Sequence, residues 1–458
     1  MNKDTNPNGD HSSFVRPSDF ERRQLERSDV ILTPMGSAGD VLPFVWLGRL
    51  LRERGHHVTI ITAVVFDEIV RATGLNFVGL GTPEEFDALI ADPDVWHGWR
   101  GPELIFRHVG KSTASMFDAI RDAVRPGAAT LLLAPGTSFA ARLAREKLGL
   151  PLIGVHLQPA CYLSTHETPI LAPQLAWVTR MPRWMKEILL RLPNPMDRWA
   201  GPGVRAACEA QGIPAPRRLY FDWFHSPDGD LALFPEWFAA PQPDWPEQVH
   251  QHSFPLEDLA MEQAMPLALA DFLATGDRPV LFTVGSAMRH GAEFFATAIR
   301  VCAETGRRGI FATRYPDQLP SELPAGICSV EYVPFGRVLP HCAALVHHGG
   351  IGTTAQGLAA GVPHVVMPMA HDQPDNAARL VWLGVGRTLP PRKFNAATLA
   401  AALAQIVDQP DVQRATKALA ERLRGDRSTA RMIEWIESRI RPRSSPGQTG
   451  GGVGREIV

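Results

Sequence analysis

A chain of 458 residues exceeds what one ordinary hydrophobic core organises, so two domains are expected. Its formal net charge of −2 creates no field to draw it onto nucleic acid, and no apolar run reaches the ~18 residues of a membrane span. Five scattered cysteines with no CxxC pair exclude a disulfide framework and point to reduced thiols in a cytoplasmic protein.

Residues 1–28 are polar and charged, lack the apolar core of a signal peptide, and are expected to form a disordered leader. The chain then alternates. Val30 to Thr33 is a short apolar strand, Gly36-Ser37-Ala38-Gly39-Asp40 turns out of it, and Val41 to Arg54 is an amphipathic helix stopped by Gly55. Val58 to Thr62, Asn76 to Gly79, Thr130 to Leu133 and Leu152 to His156 are further strands, with helical stretches between them. Strands alternating with helices predict an α/β, doubly wound parallel sheet. In such sheets functional groups stand on loops at the carboxyl ends of strands. Asp40 is on that edge, and it fits two roles: a first-turn helix acid, or a general base facing a cleft. Asp92-Pro93-Asp94 has the look of an Asp-x-Asp metal site but sits away from any nucleotide turn, so a loop kink is the expectation and no metal is assigned.

From Gln158 to His250 prolines and tryptophans accumulate. Met181 to Trp199 combines Trp184, Ile188 and Leu189 with Arg183, Lys186, Arg191 and Arg198. A basic amphipathic helix of this kind packs on its own domain, lines a lipid-acceptor groove or lies on a membrane surface. Leu231 to Phe234 returns to the first sheet, and the Pro-rich stretch Pro235 to Asp258 is the expected connection. The division is therefore 29–245 for a first domain and 246–440 for a second, whose last helices can pack back on the first. Residues 441–458, rich in Ser, Gly and Pro, are expected to be a disordered tail.

In the second half, Pro279 to Val284 is a strand ending at Gly285-Ser286, a turn that can hold a phosphate. Tyr332-Val333-Pro334-Phe335 leads into a short helix, and an aromatic there either stacks on a base or packs in the core. The densest motif is His347 to Asn376. A buried strand runs into Gly349, Gly350 and Gly352, then Thr353, Thr354 and an Ala/Leu-rich helix stopped by Gly361. A second short strand, Val365 to Met367, precedes Asp372, Gln373 and Asn376. Glycines allow close backbone approach to an anion, and N–H groups at the helix start point at it. Thr353, Thr354 and His348 add donors, and Asp372 with Gln373 suits sugar hydroxyls. The same letters, Gly350 to Ala355, also fit the G-x-G-x-x-A dinucleotide fingerprint, and a purely structural turn fits as well.

The set His348-Gly349-Gly350-Ile351-Gly352-Thr353-Thr354, Pro368 and Asp372-Gln373-x-x-Asn376 resembles the donor signature of GT-B, family 1 glycosyltransferases. The loop Gly36 to Pro43 resembles their first acceptor-domain loop in the Asp-bearing form of bacterial lipid, sterol and antibiotic members. Trp223-Phe224-His225-Ser226-Pro227 and Asp244-Trp245-Pro246 are similar to the rhamnosyltransferase B group of rhamnolipid synthesis. The resemblance spans Val30 to Ile440 and implies two Rossmann-like domains facing a cleft. It implies an inverting, metal-independent, cofactor-free transfer of a hexose or deoxyhexose from a UDP- or dTDP-sugar to a hydroxyl of a lipid-like or small hydrophobic acceptor. Peripheral contact with the inner face of a membrane is compatible with such an acceptor. Tyr332 then stacks on the base. Ser286, His348, Gly350, Thr353 and Thr354 touch the diphosphate, Asp372 and Gln373 hold the sugar, and Asp40 is the base. Two departures stand out: Gln356 where many plant members carry a ribose-binding Glu, and Phe335 in place of the usual Gln. The alternatives are an NAD-dependent oxidoreductase and a non-catalytic GT-B partner protein.

Overall fold

The computed structural model describes residues 28–256 and 265–440. The expected disordered leader, apart from Ser28, and the expected disordered tail lie outside the described residues.

The first sheet contains β1 (Asp29–Leu32), β2 (His57–Ala63), β3 (Asn76–Leu80), β4 (Thr130–Ala134), β5 (Leu152–His156), β6 (Asp230–Leu233) and β7 (Val249–His252), in the order β3-β2-β1-β4-β5-β6-β7. The second contains β8 (Val280–Thr283), β9 (Gly309–Ala312), β10 (Ile327–Val330), β11 (Ala344–His347), β12 (His364–Val366) and β13 (Gly386–Thr388), in the order β10-β9-β8-β11-β12-β13. Every strand pair is parallel. Helices cover both faces of parallel sheets, so central strands are apolar throughout. Accordingly β1, β4 and β5 are buried at every position, and so are β8, β9 and β11. Five helices matter below: α1 (Ala38–Glu53), α2 (Arg183–Arg191), α3 (Ile351–Ala360), α4 (Gln373–Trp382) and α5 (Ser428–Glu437).

In both sheets the winding reverses between two central strands, β1 and β4 in the first, β8 and β11 in the second. Ligand crevices of doubly wound sheets open at such points. Asp40 follows β1, Ser286 follows β8 and the glycine turn follows β11, so all three loops stand at a reversal point.

Two expectations change. The first sheet continues through β7, past the boundary drawn at residue 245, inside the stretch read as connection. Its sequence, Val249-His250-Gln251-His252, carries no apolar run because β7 is an edge strand, half-buried along its length. Helix α5 covers it, with the Trp435 ring 4.2 Å from His250. Met432, Ile433 and Ile436 of α5 are buried in the first-domain core beside Val45 and Leu131. The second change concerns Met181 to Trp199, which is not one helix. Pro193 and Pro195 divide it into α2 and a short helix at Pro195–Trp199.

Candidate active site

The loop after β1 is shaped by one glycine. Gly36 has φ +124, and a Cβ there would lie 2.4 Å from Asp40 Oδ2. That space lets Oδ2 accept the Ser37 N–H at 2.8 Å and the Ser37 hydroxyl at 3.0 Å. Asp40 is therefore a first-turn helix acid, as the plain reading has it. Its Oδ1 has no partner among the described residues, so the cap leaves one oxygen available. Burial raises the Asp40 pKa above its ordinary value, against the lowering effect of the two Ser37 hydrogen bonds.

The turn after β11 is held from beneath. Gly349 has φ +97. Its N–H donates to His347 Nδ1 at 3.2 Å, and its carbonyl accepts from Asn376 Nδ2 at 2.9 Å. In a trans peptide the N–H points opposite to the C=O. Pinning the Gly349 carbonyl on buried Asn376 therefore aims the Gly350 N–H the other way. That N–H and those of Gly352 and Thr353, in the first turn of α3, have no acceptor among the described residues. Three N–H groups at a helix start make an anion site.

His347 is itself fixed. Because its Nδ1 accepts from Gly349, its proton is on Nε2, which donates to His364 Nδ1 at 3.1 Å. His364 then carries its own proton on Nε2, which has no partner among the described residues. Burial holds both rings neutral, His347 well below the usual histidine range and His364 down at about 3.

His348 bridges the two turns of the second sheet. Its ring packs on Gly285 (φ +86), where a Cβ would lie 2.8 Å from the imidazole, and on Gly350, where a Cβ would lie 2.5 Å from Nε2. Burial holds this imidazole down at about 4, so at neutral pH it is an uncharged donor. Ser286 is half-buried on the next loop, and Thr353 is half-buried beside the free N–H groups. Thr354 is fully buried, and its hydroxyl has no partner among the described residues. Tyr332 is 40% exposed at the second-domain rim.

Asp372 stands at the start of α4. Its Oδ2 accepts the Ile351 N–H at 3.2 Å and Asn376 Nδ2 at 2.6 Å. Burial and then the charge of Asp40 push the Asp372 carboxyl up to about 7, so the two acids feel each other across the domains. Gln373 is buried. Its Oε1 accepts from the Met369 and Ala370 N–H groups at 2.8 and 3.2 Å, and its amide nitrogen has no partner among the described residues. The amide that sequence reading assigns to a ligand is thus half committed to its own loop.

Several site residues carry no sequence signal of their own. His371 is the one non-glycine residue with positive φ (+59) among the described residues, and its Nε2 donates to Val95 O of the first domain at 3.0 Å. Val95 is presented by the Asp92-Pro93-Asp94 kink, where Asp92 Oδ1 accepts the Asp94 N–H and Asp94 pairs with Arg100. Those two acids shape a loop that steadies the residue before Asp372. Gln356 donates to Leu256 O at 3.0 Å. Arg379 ties the domains, bonding Asp375, Glu167 and the Phe238 carbonyl.

The dinucleotide reading meets a topological difficulty. Its fingerprint turn follows the first strand of a sheet. Here Gly350 to Ala355 follows β11, on the far side of the reversal point from β8.

Residues 30–123 match the family model of the glycosyltransferase family 28 N-terminal domain, and residues 311–437 match that of the erythromycin biosynthesis protein CIII-like C-terminal domain. The chain is similar to O-mycaminosyltylonolide 6-deoxyallosyltransferase of Streptomyces fradiae, 28% identical over 432 residues that cover 90% of this chain and 98% of that one. It is 26% identical to sterol 3-beta-glucosyltransferase UGT80B1 of Arabidopsis thaliana, over 92% of this chain and 69% of that protein. The fold matches spinosyn rhamnosyltransferase SpnG complexed with thymidine diphosphate, with a TM-score of 0.63 at 18% identity over 89% of this chain and all of that one.

Proposed function

We propose that this chain, a glycosyltransferase of the GT-B fold, moves a hexose or deoxyhexose from a UDP- or dTDP-sugar to a hydroxyl of a hydrophobic acceptor, with inversion and without a metal. The observation that carries this reading is the pairing of three free N–H groups at α3 with two acids, Asp40 and Asp372, supplied by different domains. The N–H groups suit a diphosphate, and the acids suit a hydroxyl to be deprotonated and a sugar to be held.

Asp40 Oδ1 takes the proton of the acceptor hydroxyl as its oxygen attacks the anomeric carbon. The bond from that carbon to the diphosphate oxygen breaks, and its electron pair leaves with the diphosphate. The growing charge falls on the N–H groups of Gly350, Gly352 and Thr353, the His348 N–H and the positive end of α3, which can stabilise it without a metal. Asp372 and the free Gln373 amide hold sugar hydroxyls, and Tyr332 offers a ring to the base. The O-mycaminosyltylonolide and sterol in the names of the relatives support a hydrophobic acceptor here, and a lipid-like one would bring the enzyme to a membrane surface.

Calorimetric titration with UDP, dTDP, GDP and NADH tests the donor class. Binding of UDP or dTDP is expected, and His348→Ala is expected to weaken it by about tenfold or more, the worth of a charge-assisted hydrogen bond. Binding of NADH alone would replace the reading with an oxidoreductase.

The buried histidine pair yields a second expectation. His364→Leu removes the acceptor that fixes the His347 proton and should weaken nucleoside diphosphate binding by about tenfold, the net worth of one buried hydrogen bond. His364→Asn restores an acceptor and should recover most of the loss. Equal affinities in both variants and the unaltered protein would show that the turn holds without the pair.

A further inference from the structure

Between β5 and β6 the first domain carries a long crossover that leaves the carboxyl end of β5, the sheet edge that also holds Asp40. A surface helix ordinarily turns its apolar stripe inward and its charges outward. Helix α2 departs from this, with apolar side chains exposed and a lysine buried. Trp184 and Ile188, with Leu192 just past the helix end, follow one another at four-residue spacing, so they continue one line of the helix. They are 61%, 52% and 53% exposed, whereas Lys186 is 6% exposed on the inward side. Trp177, 59% exposed, extends the apolar surface just upstream. Beside that line runs a second, Arg183, Glu187 and Arg191, with Arg183 paired to Glu187 at 2.9 Å. Arg180 and Arg191 are exposed. Residues 171–199 hold five basic and two acidic side chains, a local excess of three positive charges in a chain whose net charge is −2.

We propose that this face docks on an anionic lipid bilayer. Tryptophan and aliphatic side chains lodge at the boundary between headgroups and acyl chains, and flanking arginines meet lipid phosphates. The contact is peripheral, since no helix among the described residues is long and apolar enough to cross a membrane. A second copy of the chain fits less well. A two-fold contact sets a patch against itself, and Arg180, Arg183 and Arg191 would face their own like charges. The docked face belongs to the crossover that leaves the same sheet edge as Asp40, so a hydrophobic acceptor could pass from the bilayer toward Asp40. That purpose rests on the acceptor reading above; the docking does not.

The test is vesicle flotation of the full chain with phosphatidylcholine alone and with a phosphatidylcholine–phosphatidylglycerol mixture. Two variants are compared, Trp184→Ser with Ile188→Ser, and Arg180→Gln with Arg191→Gln. The unaltered chain should float with the anionic mixture and far less with phosphatidylcholine. Each variant should lose at least about tenfold in partitioning while binding UDP or dTDP as before, the retained binding showing that it folds. No flotation of the unaltered chain, or equal flotation of the Trp184/Ile188 variant, overturns the proposal. So does a dimer in sedimentation that the same variant dissolves, which would make a second copy the occupant. Vesicle binding with no binding of any nucleotide would retain the docking surface and reject the donor reading.

Discussion

Asp40→Asn lowers turnover by at least about 100-fold and leaves nucleoside diphosphate affinity nearly unchanged, the loss expected when a general base is removed. The substitution is clean for a structural reason. Asparagine keeps an oxygen where Oδ2 accepts the Ser37 N–H and hydroxyl, so the helix start and the Gly36 turn survive. What disappears is the basicity of Oδ1. The groups proposed to hold the donor sit at α3 and α4 of the other domain and keep their contacts. A second readout separates this role from a structural one. Burial and the Asp40 charge together hold Asp372 at about 7, and removing that charge should let the Asp372 pKa fall. The acid limb of donor binding, followed by calorimetry against pH, should then move to lower pH in the variant. Near-normal turnover in Asp40→Asn would remove Asp40 from the chemistry whatever happens to Asp372.

Asp230→Ala destabilises the first domain by about 3–5 kcal/mol, the cost of breaking a buried ion pair from one side. Asp230 is fully buried at the start of β6. Its Oδ1 accepts the Ser226 N–H at 2.9 Å, and its Oδ2 lies 2.5 Å from His225 Nδ1 and 3.4 Å from His156 Nε2. Gly154 on β5 makes the room, since a Cβ there would meet Asp230 Oδ1 at 2.1 Å. The 2.5 Å contact is a hydrogen bond; ligands sharing an ion with ~2.1 Å bonds stand farther apart. Burial disfavours the charged form of His156, but the charge of Asp230, 3.4 Å away, outweighs it and that imidazole is pushed up to about 10. Burial likewise opposes the charge on Asp230, and the two histidines hold its carboxyl well below the usual range.

The pH dependence follows from these directions. A raised histidine contributes stability that is complete below its ordinary value of 6.5 and is lost as pH climbs toward 10. A depressed carboxyl contributes stability present above its ordinary 3.8 and lost as pH falls below that. The unaltered chain should therefore lose denaturant resistance between pH 6.5 and 10, and Asp230→Ala should flatten that slope. Equal denaturation midpoints for the two proteins at neutral pH would show that the cluster contributes nothing.

Much of the candidate site's geometry was legible in the amino-acid order because it is local. Anion binding by a glycine turn needs small residues in a row and a helix start after a buried strand, and His348 to Thr354 writes both in seven letters. The turn at Gly36 to Asp40 is equally compact, since the acid that caps the helix is three residues from its partner. What escaped notice depends on groups far apart in the chain. His347 and His364 meet because β11 pairs with β12. His371 adopts a left-handed backbone beside Asp372, where the Val95 carbonyl of the other domain accepts its proton.

The amino-acid order by itself determined the two doubly wound sheets, because periodicity and strand apolarity are properties of short segments. It also determined the chemistry available at each loop, since residue type sets what can donate, accept or titrate. Tertiary structure alone decided how those groups are spent. It committed the Gln373 oxygen to its own loop, left Oδ1 of Asp40 free, and raised Asp372 by bringing Asp40 to it from the other domain. It also turned the apolar line of α2 outward. Each of these outcomes follows from burial and long-range contact, which no local pattern encodes.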